Sequence, residues 1–303
     1  MATKKIKPPT RRQCGAMQAH FRLLETDPSF RRNQMALQDQ TARRMVSSLI
    51  IRIPRVIPVV VHVVYNTAAE NISTTQIKSQ IRALNRDYAA TNADKSKIPQ
   101  VWKGMPSESG IQFALATKDP SGKPTTGITR TMTTRTSFGT GDTVKRTAQG
   151  GKDAWPTKKY LNIWVCTLAG GLLGYAQFPG GPSRTDGVVI LNTAFGTNGT
   201  ATKPFNLGRT ATHEVGHWLN LRHIWGDTED CSGTDFVEDT PNAATPNYGK
   251  PKFPRISCNN GPNGDMFMNY MDYVDDDAMF LFTPQQVVRM WATLDGPRSQ
   301  IGT

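Results

Sequence analysis

The chain has 303 residues, 37% hydrophobic and 20% charged, with 36 Lys and Arg against 24 Asp and Glu. That length and apolar content suffice for one large core or two small ones, and no stretch approaches the roughly 20 apolar residues needed to cross a bilayer. Four cysteines are too few for a disulfide scaffold, so packing must supply most of the fold. The charge is uneven: residues 1–55 hold twelve basic and three acidic side chains, so +9 of the net +12 lies there. Such an arm can meet phosphates or anionic lipid, can cover an acidic cleft of its own chain, or can be simply solvated. The first residues are basic, but no apolar segment of signal-peptide type follows within 40 residues.

In chain order, the polar arm predicts one helix around Met35 to Leu49. The β-branched run Ile57 to Tyr65, bounded by Pro and Asn66, reads as a buried strand. Ser73 caps a helix reaching to about Asn92, with Gln76 at the reciprocal capping position and Ile77, Ile81, Leu84 and Tyr88 on one face. Further strands are expected at Ile111–Ala116, Tyr160–Cys166, Leu172–Phe178 and Gly187–Asn192, and a second helix over Gly208 to Leu219. Trp225 to Phe282, rich in Gly, Pro, Asn and Asp, should be mostly irregular. Thr283 caps a final helix with Pro284 in its first turn and Val287, Met290, Trp291 and Leu294 facing inward. No internal repeat is present. The pattern indicates an α+β protein with two unequal lobes.

The segment that carries chemistry is His213-Glu214-Val215-Gly216-His217-Trp218-Leu219-Asn220-Leu221-Arg222-His223. On a helix, His213 and His217 project from one face and can hold one zinc ion, with Glu214 beside them and free of the metal. A continuous helix would carry His223 away from that ion. The chain must therefore break near Asn220, the non-glycine residue type most tolerant of left-handed backbone. His20 and His62 read as packed histidines.

This segment resembles the long zinc signature of the metzincin metallopeptidases, with Asn220 where the usual pattern has Gly. Met268 to Tyr273 looks like the Met-turn of that group. With Ile57–Asn66, Leu172–Phe178 and Asp239-Thr240-Pro241, the pattern is similar to the pappalysin family, including its ulilysin-like bacterial and archaeal members, over about Ile57 to Leu294. The resemblance implies a metzincin-like two-lobed catalytic domain, 56–303, after a basic inhibitory prosegment, 1–55. Its upper lobe, about 56–223, would hold a twisted, mostly parallel sheet with backing and active-site helices. Its lower lobe, about 224–303, would be irregular and end in a helix.

By the same resemblance, His213, His217 and His223 bind catalytic zinc and Glu214 is general base and acid. Met271 floors the site, and Tyr273 hydrogen-bonds the developing oxyanion. The strand with Gly174, Tyr175 and Ala176 would bind an extended peptide antiparallel through its main chain. Ulilysin-like enzymes cleave before Arg or Lys, and of the clustered Asp275, Asp276 and Asp277, Asp276 aligns best with their acidic pocket base; the other reading of the cluster is calcium ligands or solvated loop. A structural calcium is expected in the acid-rich stretch Asp227 to Asp239, with Asp235 and Thr240 as candidates.

Cys231 and Cys258 match a disulfide of the family, which argues for an oxidising compartment and hence export. Arg12-Gln13-Cys14-Gly15 resembles the cysteine switch of metzincin zymogens, whose thiolate holds the zinc's fourth position; a plain free thiol is the other reading. Cys166 reads as a small buried hydrophobe. Prosegment removal is expected at Arg52 or Arg55. The resulting reading is a secreted, latent zinc endopeptidase acting on proteins and peptides, with no nucleic-acid or membrane partner. Its alternatives are an exopeptidase and a zinc-holding peptide-binding module without turnover.

Overall fold

The computed structural model describes residues 8–46 and 54–302. Eight strands and five α-helices are present among them. Strand β1 (Arg55–Tyr65) is central to a six-stranded sheet of order β2 (Ile111–Leu115), β1, β4 (Leu161–Cys166), β6 (Val188–Leu191), β5 (Gly174–Ala176). β3 (Ile128–Met132) continues the β2 edge, pairing Val61 to Tyr65 of β1 where β2 pairs Arg55 to Val59. All pairings are parallel except β5 with β6.

A parallel sheet covered on both faces reads as a continuous apolar run, and β1 shows why. Val59, Val61 and Val63 face one core with Ile163, Val165, Val188 and Ile190. Val64 faces another with Trp164 and Val189 on the opposite side. Against the first face pack α3 (Thr74–Tyr88) and α4 (Arg209–Trp218). His62 is buried in its strand, bonded to Thr129 Oγ1 at 2.7 Å and Asn162 Oδ1 at 3.0 Å. Cys166 is fully buried.

Several expectations are met and several are corrected. Ser73 caps α3, accepting from Gln76 N at 3.1 Å, but the helix ends at Tyr88, short of Asn92. The Gln76 side chain does not reach back to complete the capping box. Its Nε2 instead donates to Asn192 O and Phe195 O, tying α3 to the loop before α4. Thr283 and Gln286 do form the full reciprocal cap at the start of α5 (Pro284–Asp295). β5 is shorter than the expected Leu172–Phe178. β3 was not foreseen, because its five residues are half exposed and show no apolar run.

Among its described residues the arm holds two helices where one was expected. α1 (Ala16–Thr26) lies on β5 and α2 (Pro28–Val46) on α5. The expected helix end, residues 47–49, lies outside the described residues. α2 buries Phe30, Gln34, Leu37 and Thr41, one stripe at helical spacing. Two of those four are polar, and each makes a hydrogen bond: Gln34 Nε2 donates to Pro179 O at 2.6 Å and Thr41 Oγ1 to Leu37 O at 2.7 Å. Periodicity of hydrophobicity alone could not reveal such a face.

The second lobe, after His223, is held by short devices. β7 (Tyr248–Gly249) and β8 (Tyr273–Val274) form a two-stranded parallel ladder. Cys231 and Cys258 are disulfide-bonded. Among the described residues no helix is long and apolar enough to cross a membrane.

Candidate metal centre

α4 begins after Gly208, in the left-handed conformation at φ 83°, and ends at Trp218, two residues before Asn220, whose φ is 72°. The α5 side of the molecule caps the break: Arg289 Nη2 donates to Asn220 O at 3.1 Å, Thr293 Oγ1 to Leu219 O at 3.2 Å, and Arg298 Nε to Trp218 O at 3.1 Å. These three donors take up carbonyls that the helix end leaves without intrahelical partners. The turn returns His223 to His213 and His217, all three being buried.

Each imidazole is oriented from behind. His213 Nδ1 donates to Tyr270 O at 2.7 Å, His217 Nδ1 to Leu221 O at 2.8 Å, and His223 Nδ1 to Asp227 Oδ1. With each Nδ1 so engaged, the three Nε2 atoms turn to one point: His217 Nε2 lies 3.1 Å from His213 Nε2 and 3.0 Å from His223 Nε2. Ring nitrogens this close repel unless a proton or a cation lies between them, and one metal ion at their centre satisfies all three. A tetrahedral zinc with bonds of about 2.0 to 2.1 Å would set its nitrogens about 3.3 Å apart, close to what is found. Burial, then the charge of neighbouring histidines, pushes His213 and His217 well below the usual imidazole range, which keeps them in the ligating form.

Cys14 joins the cluster: its Sγ and one nitrogen of each histidine lie within 4.8 Å of one another. The thiol also sits 3.4 Å from Glu214 Oε2. Burial pushes the Glu214 carboxyl up to about 8, with the Cys14 contact and Arg12 opposing. Two glycines make room for this geometry. A Cβ on Gly174 would stand 2.8 Å from Glu214 Cγ, and one on Gly216 would stand 2.6 Å from Met271 Sδ. Met271 is fully buried beneath α4, its N–H held by Asn269 Oδ1 at 2.9 Å. Tyr273 stands at the front, its ring 4.9 Å from that of His223 and its hydroxyl donating to Cys14 O at 3.5 Å.

The arm enters the cleft through an isolated β-bridge between Cys14 and Gly174. Leu173 N donates to Gln13 O and Gly15 N to Gly174 O, both at 2.9 Å, in parallel register with β5. These hydrogen bonds run main chain to main chain, while the Tyr175 and Ala176 side chains are buried. Two residues before Cys14, and so on the same side of the extended chain, Arg12 is buried. Its Nη2 lies 2.7 Å from Asp276 Oδ1, its Nε donates to Val274 O and its Nη1 to Thr210 Oγ1. Asp276 is completely buried and its other oxygen accepts from Leu207 N at 2.7 Å. Asp275 and Asp277 are half buried, and Asp277 pairs with Lys250 instead.

The roles of Arg12 and Asp227 were not read from sequence, where Arg12 stood only within the switch-like motif and Asp227 only among the acids of the expected calcium stretch. Asp227 could have been, as an acid four residues past His223. For Arg12 the signal was its two-residue spacing from Cys14, which matters only once the segment is known to be extended. His20 is more than a packed histidine: it is buried under Phe178, and Arg222 Nη2 donates to its Nε2 at 3.0 Å. The acids near the expected calcium are dispersed. Asp227 holds His223, Asp230 folds on Ser232, and Asp239 accepts from Thr283 and Gln285 at the start of α5. Asp235 is buried and accepts from Thr240 Oγ1 at 2.6 Å.

Residues 145–295 match the peptidase family described as pregnancy-associated plasma protein-A. An extracellular metalloprotease of Pyricularia oryzae is 36% identical over 242 residues, covering 76% of this chain and 71% of that protein. One of Arthroderma benhamiae is 32% identical over 76% of this chain and 73% of its own. Among solved structures, mature mirolysin of Tannerella forsythia in complex with a cleaved peptide superposes with a TM-score of 0.81 at 50% identity, covering 83% of this chain and 97% of that one. A promirolysin mutant of the same organism superposes with a TM-score of 0.87 at 46% identity, covering 96% and 97%.

Proposed function

The chain belongs to the family of pregnancy-associated plasma protein-A, the pappalysins, and is a metalloendopeptidase with a prosegment; on that premise we propose that it is a secreted enzyme cutting before Arg or Lys and kept latent by Cys14 and Arg12. The observation that carries the reading is the convergence of three imidazoles, Cys14 and Glu214 at one point, with Arg12 seated on Asp276 beside them. His213, His217 and His223 would hold the zinc, which when bound supplies a Lewis acid for the peptide carbonyl and an acidified water.

Glu214, in its buried niche against Gly174, would accept the water's proton and return it to the leaving amine. Tyr273, freed from Cys14 O, has its hydroxyl beside the histidines where the oxyanion would form. The β5 main chain, at Leu173 and Gly174, would align the peptide. Asp276 would receive a guanidinium or ammonium of the first residue after the cut. Support for that preference is Arg12 itself: a carboxylate with two backbone N–H donors on one oxygen leaves the other for a charged partner.

The arm would inhibit because it lies in the cleft backwards. A substrate antiparallel to β5 brings a carbonyl to the metal, whereas the arm runs parallel and brings a sulfur. Release would occur in the 1–55 prosegment. Arg52 lies outside the described residues, and Arg55 is already in β1, donating to Leu294 O at 2.6 Å, which favours a cut before it. A calcium at Asp235 and Thr240 belongs to the same reading. Its support is a buried carboxyl pushed up to about 7 by desolvation, in no ion pair among the described residues. Chelation with EGTA should then lower Tm in the native chain and leave an Asp235→Asn variant unmoved.

The experiment that tests the reading maps new N-termini in denatured proteins digested by the wild type and by Glu214→Ala. Cuts before Arg and Lys, absent in the variant, are expected. Cuts without that preference would remove the Asp276 assignment. An intact digest after arm removal, with zinc present, would overturn the catalytic roles.

A further inference from the structure

The arm leaves a second imprint beyond Asp276. The guanidinium carbon of Arg11 lies 3.4 Å from the ring centroid of Tyr248, face-on. Arg11 is exposed, so no core requirement places it there. The chain bends at Thr10 and Arg11, so while Arg12 enters the Asp276 pocket, Arg11 turns onto the face of Tyr248. That face belongs to the frame around β8. Tyr248 pairs in register with Tyr273 through β7 and β8, the rings are 5.8 Å apart, and Gly249 O accepts from Asp275 N at 2.9 Å. The ring is thus tied to the strand that carries Tyr273 and leads to Asp276.

We infer that Tyr248 is a specificity-determining residue: a stacking platform for the guanidinium of the second residue after the cut, so that the enzyme favours bonds followed by two basic residues. Chain direction fixes the position. Moving away from the metal, the arm runs Cys14, Gln13, Arg12, Arg11, that is, toward its N-terminus. A substrate of opposite direction moves toward its C-terminus along the same path. The residue after its pocket-filling Arg therefore meets Tyr248. The groove past Tyr248 carries Lys252 and Arg255. Positive charge as such is thus not what it selects; a planar cation that stacks is, which favours Arg over Lys. An exposed cation–π contact corresponds to about a two- to fivefold preference.

The inference rests on the Asp276 reading, and one peptide set separates the two. Self-processed enzyme is given peptides with Arg or Ala as the first residue after the cut, each combined with Arg, Lys, Ala or Glu as the second, and kcat/KM ratios are taken within each enzyme. Expected for the wild type is a strong first-position preference and a two- to fivefold second-position preference for Arg. Tyr248→Ala should flatten the second without touching the first, and Tyr248→Phe should keep both. A second position that is indifferent while the first still selects Arg overturns the Tyr248 assignment alone. So does a second-position preference that survives Tyr248→Ala. Loss of first-position selection overturns the Asp276 reading and this inference with it. Because ratios are internal to each enzyme, a general loss of activity in a variant does not mimic either result.

Discussion

Arg12→Ala tests how the cleft is held shut. Arg12 makes three contacts at 2.7 to 3.2 Å to Asp276, Val274 and Thr210, all buried. Deleting one partner of a buried, hydrogen-bonded ion pair costs about 3 to 5 kcal/mol. Here the lower end applies, since Asp276 keeps the Leu207 and Arg209 amides. A loss of about 3 kcal/mol is roughly a 150-fold rise in the open population. Hydrogen exchange reads this directly, through the Gly15 amide that donates to Gly174 O in the docked arm. The comparison is made in a Glu214→Gln background, so that no arm is cut during the experiment. A rise of less than about threefold, the range of a solvent-exposed pair, would refute the argument that the buried pair anchors the arm.

Three further outcomes are expected. His20 is pulled down to about 3, by burial and then by the charge of Arg222. Its protonation is thus penalised only in the docked arm, so docking is fully stable above about 6.5 and weakens by up to about 1.4 kcal/mol per pH unit below it. α1 exchange, corrected for intrinsic rates, should rise between pH 7 and pH 5 by about 30-fold, with the increment gone in His20→Gln. Tyr273→Phe should lower kcat by about 10²-fold with KM little changed, measured on a peptide ladder after arm removal; a change confined to KM would make the tyrosine a binding residue. Replacing Cys231 and Cys258 together by Ser, which opens a loop of sequence separation 27, should cost about 3.5 kcal/mol in urea unfolding.

What was legible in the sequence was whatever depends on local chemistry. The 213–223 spacing gave away the metal and even the break at Asn220. Ser73 and Thr283 announced their helices, and the valines of β1 announced a strand covered on both sides. What was illegible depended on a partner elsewhere in the chain. Gln76 looks like half a capping box, and only the loop at 192–200 turns it outward. α2 shows a helix-spaced stripe of Phe30, Gln34, Leu37 and Thr41 that hydropathy cannot see. Arg12 was one cation among twelve until Asp276 lay opposite it. The calcium candidates stayed ambiguous because nearby acids were already committed as caps and as a prop for His223.

The position of α2 has a quantitative consequence. It docks on α5, where Arg289 donates to Gln38 Oε1 and Arg44 pairs with Asp295, just ahead of the chain's entry into β1. The arm is therefore a ligand carried on a short tether, present at its own site at an effective concentration on the order of millimolar. A cut in that tether changes none of the contacts. It changes the molecularity: rebinding then depends on the amount of protein in solution. Nicked enzyme would stay silent where it is concentrated and become active as it spreads, so dilution, as much as cleavage, would set when proteolysis begins.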